Sequence, residues 1–337
     1  MVSKQAGPAK PTLATNKAHH PFECTALLLQ GGGALGAYQA GVYQALSEAG
    51  LEPDWVAGIS IGAINAAIIA GNAPKDRIPR LREFWESITM DAFQYMPPVI
   101  KSLMTSSDAQ HRALNCLSAM QTIMRGIPGF FMPSQLGIKP TAISFYNTAS
   151  LKTTLERLVD FDRINNDHMR LSIAAVNVES GNFTIFNNKE TTITPEHVMA
   201  SGALPPGFPP VEIEGEYYWD GGLISNTPLH WVVEDKSPAD TLVFQVDLWS
   251  AEGEFPQNIT EVLTREKAIQ FSSRTRSNTD RFKEKHELHH IISGLLEKLP
   301  ANLRQLPEAK LLSAHSNNGQ PPILSPGFKL EFAVLDG

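Results

Sequence analysis

The chain has 337 residues, 42% of them hydrophobic, with 24 each of Gly and Pro, so it carries too much apolar surface for a disordered protein and enough for one large or two modest domains. A net charge of −7 and a pI near 5.8 argue against a nucleic-acid binder and would slow approach to an anionic membrane, except through local basic clusters. Two cysteines, Cys24 and Cys116, lack C-x-x-C spacing, which excludes a disulfide framework and makes a reducing compartment the simpler assumption.

Residues 1–22 are polar and read as a flexible leader, with His19-His20 as tail composition rather than a metal site. The apolar Ala26-Leu27-Leu28-Leu29 is too short for a signal or a membrane span, and no apolar run approaches 18 residues. A soluble cytoplasmic protein that at most touches a membrane is expected. Thr25 to Gln30 reads as a buried strand that runs into Gly31-Gly32-Gly33-Ala34-Leu35-Gly36. A helix follows, ended by Gly50, with Leu35, Tyr38, Val42 and Leu46 as its apolar repeat. Gly36, Ala37, Ala40 and Gly41 form a small-residue face suited to lying close to a sheet. Three glycines between strand and helix let backbone N–H groups converge on an anion or oxyanion. Gly31, Gly33 and Gly36 also satisfy G-x-G-x-x-G, with Glu48, Glu52 or Asp54 at the distance of a ribose-binding acid, so a dinucleotide reading is carried as an alternative.

Asp54-Trp55-Val56-Ala57 has the character of a second buried strand, and Ile61 to Ala70 that of a buried helix. Between them, Gly58-Ile59-Ser60-Ile61-Gly62 reads as a nucleophile elbow. Gly58 and Gly62 relieve crowding around the sharp turn, and Ser60 projects at a helix N-terminus where negative charge is favoured. Pro79 to Ile88 is predicted helical, with Leu81, Phe84, Trp85 and Ile88 on one face. From Met90 to about Thr148 the period is lost. The segment holds six of the nine methionines (Met90, Met96, Met104, Met120, Met124, Met132), with Phe93, Phe130, Phe131 and Phe145, as an adaptable lid, an acyl-chain channel or core filler would.

A helix is expected near Ser150 to Val159, then strands at Leu171 to Val178 and Phe183 to Phe186 around a Ser180-Gly181-Asn182 turn. Thr194, Pro195 and Glu196 mark the start of a helix running to about Ala200. A rigid loop, Ser201 to Pro210, precedes the hairpin Val211-Glu212-Ile213 and Tyr217-Tyr218-Trp219, which ends in Asp220-Gly221-Gly222. That ending is either an acid exposed to a cleft or an ordinary Asx turn. Pro228 to Glu234 reads as a helix and Thr241 to Leu248 as a strand, so βα alternation persists to about residue 250. Residues 259–299 are charged and helical in pattern, with a basic stripe at Arg274, Arg276, Arg281, Lys283 and Lys285, and the tail from Pro300 is expected to end without a clear element. His286-Glu287-Leu288-His289-His290 satisfies the H-E-x-x-H zinc spacing, but it sits on a charged helix outside the βα region with only Glu297 or Glu308 as further ligands; a solvated helix is favoured.

Taken together, Gly31 to Ala37, Gly58 to Gly62 and Asp220 to Gly222 resemble the three ordered signatures of the patatin-like phospholipase family. Ala203-Leu204-Pro205 and Phe208-Pro209-Pro210 form a weaker fourth mark. The resemblance covers about residues 23–250 and extends to the Ser272 to Phe282 segment of some longer bacterial members. It implies a three-layer α/β/α fold with a mostly parallel central sheet, residues 23–250 as the catalytic region, 90–148 as an insertion, and 251–337 as a helical extension and tail. It implies Ser60 as nucleophile, Asp220 as its partner in a dyad without histidine, the backbone of Gly31, Gly32 and Gly33 as oxyanion hole, and hydrolysis of lipid acyl esters without cofactor or metal. Many relatives carry Arg or Lys where this chain has Leu35, which leaves the headgroup open. Three rivals stand beside this reading: a Ser-Asp-His esterase drawing on His230, His286, His289 or His290, a non-catalytic lipid-binding protein, and the dinucleotide binder.

Overall fold

A computed structural model of the chain describes residues 21–89, 122–134, 143–166, 168–229, 231, 240–300, 302–307, 309–310 and 330–336. Residues 1–20 of the expected 1–22 leader, Cys116, His230 and most of the 90–148 insertion lie outside these residues. So does the predicted 228–234 helix beyond Trp231.

The fold is α/β, built on a mixed eight-stranded sheet. Strand β1 (Cys24–Leu29) pairs in parallel with β2 (Trp55–Gly58) on one side and β9 (Thr241–Asp247) on the other; β2 in turn pairs in parallel with β5 (Arg170–Asn177). Beyond β5 the pairing becomes antiparallel, with β6 (Phe183–Asn187) and β8 (Glu216–Asp220) both on β5, and β7 (Val211–Ile213) on β8. The two-residue strands β3 (Met132–Pro133) and β4 (Tyr146–Asn147) form a separate ribbon.

Alternation along the strands sends side chains to two cores, as a sheet covered on both faces requires. Leu27, Leu29, Val56, Ile173, Ala175, Phe244 and Val246 face the larger one, which takes in the buried residues of α1 (Ala37–Glu48), α2 (Ile61–Ala70), α3 (Pro74–Ile88), α4 (Ala149–Leu158), α5 (Phe161–Asn165) and α6 (Pro195–Ser201). Ala26, Leu28, Trp55, Ala57, Ala174 and Val243 face the smaller, covered by Leu229 and Trp231. At the end of β1, Gln30 meets Thr275 of the 40-residue helix α7 (Ile259–Lys298).

Every residue of α2 is buried, as its composition of Ile and Ala with one Gly and one Asn demands. Its single polar side chain, Asn65, donates to the Gly36 carbonyl and the Gln39 side chain (both 2.9 Å) and accepts the Trp85 indole N–H (3.1 Å). Satisfied in this way, Asn65 avoids the penalty of an unpaired buried amide, about 1–3 kcal/mol.

Four details differ from the sequence-based expectation. A 3-10 turn at Gly33–Gly36 precedes α1 and resets its phase, so Leu35 and Tyr38 are exposed and the packed positions are Gln39, Tyr43 and Leu46. Polar partners permit that face: the Tyr43 hydroxyl donates to Glu52 (2.8 Å), which also pairs with Arg77 (2.6 Å). Of the small residues, Gly36 does pack closely, since a Cβ there would lie 2.6 Å from Ile61, whereas Ala37 and Gly41 face outward. Helix α3 begins at Pro74 rather than Pro79, with Pro74 in its first turn and Pro79 inside the helix. The missing bond at Pro79 is offset by burial of Leu81, Phe84 and Ile88 and by Arg77, whose Nε donates to the Asn72 carbonyl. Finally, the tail does end in an element: β10 (Leu330–Asp336) extends the sheet, parallel to β9 over its whole length. It is chosen by the free edge of β9, a non-local cause without a signature in the tail itself.

Candidate active site

The register of the sheet gathers the three motifs. Leu29 lies opposite Gly58, so β1 and β2 end side by side and deliver the Gly31–Gly33 turn and the Ser60 turn to one carboxyl edge, where ligands of open α/β sheets bind. Gly58 lies opposite Ile173 of β5, and two residues further along β5, Ala175 lies opposite Asp220.

Ser60 is held in a backbone conformation that a side chain rarely adopts, φ 57° and ψ −125°. The two flanking glycines are required by contact. A Cβ on Gly58 would lie 2.3 Å from the Gly62 carbonyl oxygen, and one on Gly62 would lie 2.2 Å from the Leu29 carbonyl oxygen. The expected crowding around the turn is therefore real: Gly58 meets the Gly62 backbone, and a side chain on Gly62 would meet β1 as well. The bend is further secured by the Ser60 N–H, which donates to the hydroxyl of Ser201 (3.0 Å), fully buried at the end of α6.

Asp220 is almost completely buried. Its carboxylate accepts the Gly222 N–H (2.7 Å), and the Ser60 hydroxyl lies near enough to favour its ionised form. Burial raises its pKa to about 7; the Gly222 N–H and Ser60 hydroxyl pull in the other direction but are outweighed. A carboxyl group that titrates near neutrality against a serine hydroxyl is a candidate proton acceptor.

The glycine turn borders Ser60, since a Cβ on Gly31 would lie 3.2 Å from that of Ser60. Its three N–H groups differ. That of Gly31 donates to the Asn226 carbonyl (3.3 Å), while those of Gly32 and Gly33 have no partner among the described residues. The Gly31 carbonyl accepts from Asn226 Nδ2 (2.7 Å) and from the Trp249 indole (2.8 Å). Carbonyl and N–H of one peptide unit lie in a plane and point in opposite directions, so two donors on the Gly31 oxygen fix the direction of the Gly32 N–H.

Asn226, Ser201 and Trp249 are site residues that reading the sequence missed. The only local hint was the polar run Ser225-Asn226-Thr227, buried throughout although it precedes a proline. Among the described residues no histidine side chain bonds Ser60 or Asp220; His197 lies at the opposite end of α6 from Ser201, bonded to Thr194. The H-E-x-x-H segment is helical with Glu287 exposed, while the side chains of His286, His289 and His290 lie outside the described residues, and no group of three metal-ligating side chains occurs among the described ones. No helix of the described residues is long and apolar enough to cross a membrane.

Comparison with known proteins adds the following. Two solved structures resemble the chain: VipD from Legionella pneumophila at 20% identity and TM-score 0.35, covering 79% of this chain and 56% of that one, and ExoU in its heterodimeric complex with SpcU from the type III secretion system of Pseudomonas aeruginosa, at 18% and 0.31, covering 88% and 69%. The chain thus spans little more than half the length of the first. No curated protein matches it by sequence. A family model described as patatin phospholipase matches residues 269–324, which include most of α7. A model described as patatin-like phospholipase matches residues 27–232, more than half of the chain and all three motifs at the sheet edge, and the chain therefore belongs to the patatin-like phospholipase family.

Proposed function

We propose that the chain is a serine lipid acyl hydrolase that cleaves acyl esters through a Ser60–Asp220 dyad and an acyl-enzyme. The observation that carries this reading is a strained serine whose hydroxyl acts on the ionisation of a buried carboxylate, beside a glycine turn whose Gly32 and Gly33 amides have no partner among the described residues. Ser60 Oγ attacks the acyl carbonyl while Asp220 takes its proton. The tetrahedral oxyanion is received by the N–H groups of Gly32 and Gly33; Gly31 contributes its carbonyl as an anchor instead of an N–H. Collapse expels the alcohol, protonated by Asp220, and leaves the acyl group on Ser60. Water then attacks this ester as Asp220 again takes a proton, and collapse returns that proton to Ser60 and releases the fatty acid. No step requires a metal or cofactor.

Leu35, half-exposed just after the glycine turn, places an apolar side chain where many relatives carry a cation. It favours a substrate class defined by the acyl chain over one defined by a phosphate headgroup. Contact with a lipid surface follows from such a substrate, and the cytoplasmic side is the location consistent with the cysteine content.

The test is kcat/KM on a soluble p-nitrophenyl ester, with fluorophosphonate labelling of folded variants. Ser60→Ala is expected to lose about four to six orders of magnitude in rate and all labelling. Asp220→Asn is expected to be comparably damaged, while His230→Ala, His286→Ala, His289→Ala and His290→Ala keep most activity. Collapse of any one histidine variant to the Ser60→Ala level transfers the reading to a Ser-Asp-His esterase; an unlabelled wild-type protein transfers it to a lipid-binding protein.

A further inference from the structure

The side chain that ends β1, immediately before the glycine turn, is a hub. Gln30 is fully buried. Its Oε1 accepts the Leu248 N–H (2.6 Å), its backbone carbonyl accepts the Gln39 side-chain amide (2.7 Å), and its Nε2 donates to Thr275 Oγ1 of α7 (2.8 Å), with Thr227 Oγ1 further off (3.4 Å). Thr227 and Thr275 also bond each other (2.8 Å), and both are buried. Proton counting assigns the direction: the single hydroxyl hydrogen of Thr275 goes to the Phe271 carbonyl of its own helix (3.0 Å), so Thr275 accepts from both Gln30 and Thr227.

Phe271, one turn earlier on α7, packs its ring on Trp249 at 5.2 Å, and Trp249 holds the Gly31 carbonyl. Helix α7 thus reaches the glycine turn by two routes, one through Gln30 and one through Trp249. The second ends on the peptide that carries the Gly32 N–H, and the first on the residue just before the turn.

We propose that Thr275 is a positioning residue for the oxyanion site: by fixing the Gln30 side chain from α7, it holds the Gly31–Gly33 turn in the geometry that receives the tetrahedral intermediate. The proposal rests on the serine-hydrolase reading above. Its physical basis is that removal of this acceptor from a buried network leaves the Thr227 hydroxyl without its acceptor and Gln30 Nε2 with only the longer contact to Thr227 (3.4 Å). Gln30 then turns to find another acceptor, and the turn that follows it moves. Displacement of an oxyanion donor by a fraction of an ångström acts on the transition state more than on ground-state binding.

The experiment uses the full chain and a soluble p-nitrophenyl ester. Thr275→Val, similar in shape but unable to accept, is expected to lower kcat about 10- to 100-fold with KM within about twofold of wild type. Thr275→Ser, which restores the acceptor, should return kcat to within about threefold of wild type. Thr279→Val is the control: Thr279 is buried one turn along α7, but its hydroxyl bonds only the Thr275 carbonyl of its own helix (2.9 Å), so kcat should be unchanged. Equal kcat for Thr275→Val and Thr279→Val, or failure of Thr275→Ser to restore turnover, overturns the proposal. Should Thr275→Val not fold, Thr275→Cys offers a weaker acceptor of similar shape; an intermediate kcat supports the proposal and a wild-type kcat overturns it. Ser60→Ala assayed in parallel separates the two readings. Turnover by that variant defeats the serine mechanism itself, whereas an inactive Ser60→Ala beside an unimpaired Thr275→Val defeats only the role of Thr275.

Discussion

In the proposed mechanism Asp220 sets the pH behaviour of the site, because it can accept the Ser60 proton only when ionised. Burial lifts its pKa to about 7, so kcat/KM is expected to rise with pH through about 7 and then level off, where an ordinary carboxylate would already be level by about pH 5. A rate profile flat from pH 5 to 9 contradicts this. The same shift has a cost in stability. With a folded pKa above the unfolded value of about 3.9, the native state holds the proton more tightly; this contribution is present below about pH 4 and is lost as pH rises to about 7. Above that range the buried carboxylate destabilises the fold by an amount on the order of a few kcal/mol. Asp220→Asn should therefore be inactive yet more resistant to urea than wild type at pH 8, with the difference shrinking at pH 5. Ser201→Ala makes the opposite exchange: it leaves the Ser60 N–H without its buried acceptor and should cost about 1–3 kcal/mol in urea denaturation.

At the scale of single elements, α6 carries Ser201 at one end and a capping box at the other, where the His197 Nδ1 accepts the Thr194 N–H (3.1 Å). Burial lowers the His197 pKa, and protonation abolishes the acceptor. A histidine whose folded pKa lies below the unfolded value of about 6.5 binds fewer protons when native, so its contribution to stability falls as pH drops below about 6.5. This opposes the Asp220 effect, and only variants separate the two. His197→Gln keeps a capping side chain without the titration, and should flatten the acid limb of a stability–pH curve; an unchanged limb rejects the assignment. The described end of the insertion is likewise anchored rather than loose. Phe131 packs on Tyr146 (4.8 Å) and Phe208 (5.3 Å), Phe130 on Phe84 (6.4 Å), and the Phe145 and Tyr146 N–H groups donate to the Pro206 and Gly207 carbonyls in the loop between Ser201 and Asp220. Replacing Phe130 and Phe131 with Ala should change the ratio of rates on long and short acyl esters. Equal loss on all chain lengths assigns the pair a purely structural role.

At the scale of the molecule, the sheet that presents Ser60 and Asp220 is completed from a distant part of the chain. Strand β10 closes the edge of β9, itself the neighbour of β1. Deleting residues 330–336 would leave seven β9 residues with an open edge, so the shortened chain is expected to melt at lower temperature and to self-associate in light scattering. A shortened chain with wild-type melting and no association would mean that the edge is protected by other means.

What the sequence determined by itself is the set of features whose cause lies within a few residues. The strand, glycine turn and helix around Gly31, the elbow at Ser60, the hairpin ending at Asp220 and the capped start of α6 are all specified by local backbone demands, which leave Gly, Pro, Thr and an Ile/Ala-rich run as their trace. The order of the three motifs carried the family as well. Tertiary structure decided the rest. It chose which face of α1 is packed, because periodicity marks apolar positions without saying whether a partner covers them, and the apolar repeat leaves out Gln39, which is buried. It also gave Asp220 its raised pKa, which depends on desolvation by residues far along the chain. Partners such as Asn226 and Trp249 for Gly31, Ser201 for Ser60 and Thr275 for Gln30 are separated by 141 to 245 positions. A hydrogen bond across such a span constrains two single residues and imposes no period or spacing on either neighbourhood, so only the folded chain brings it into being.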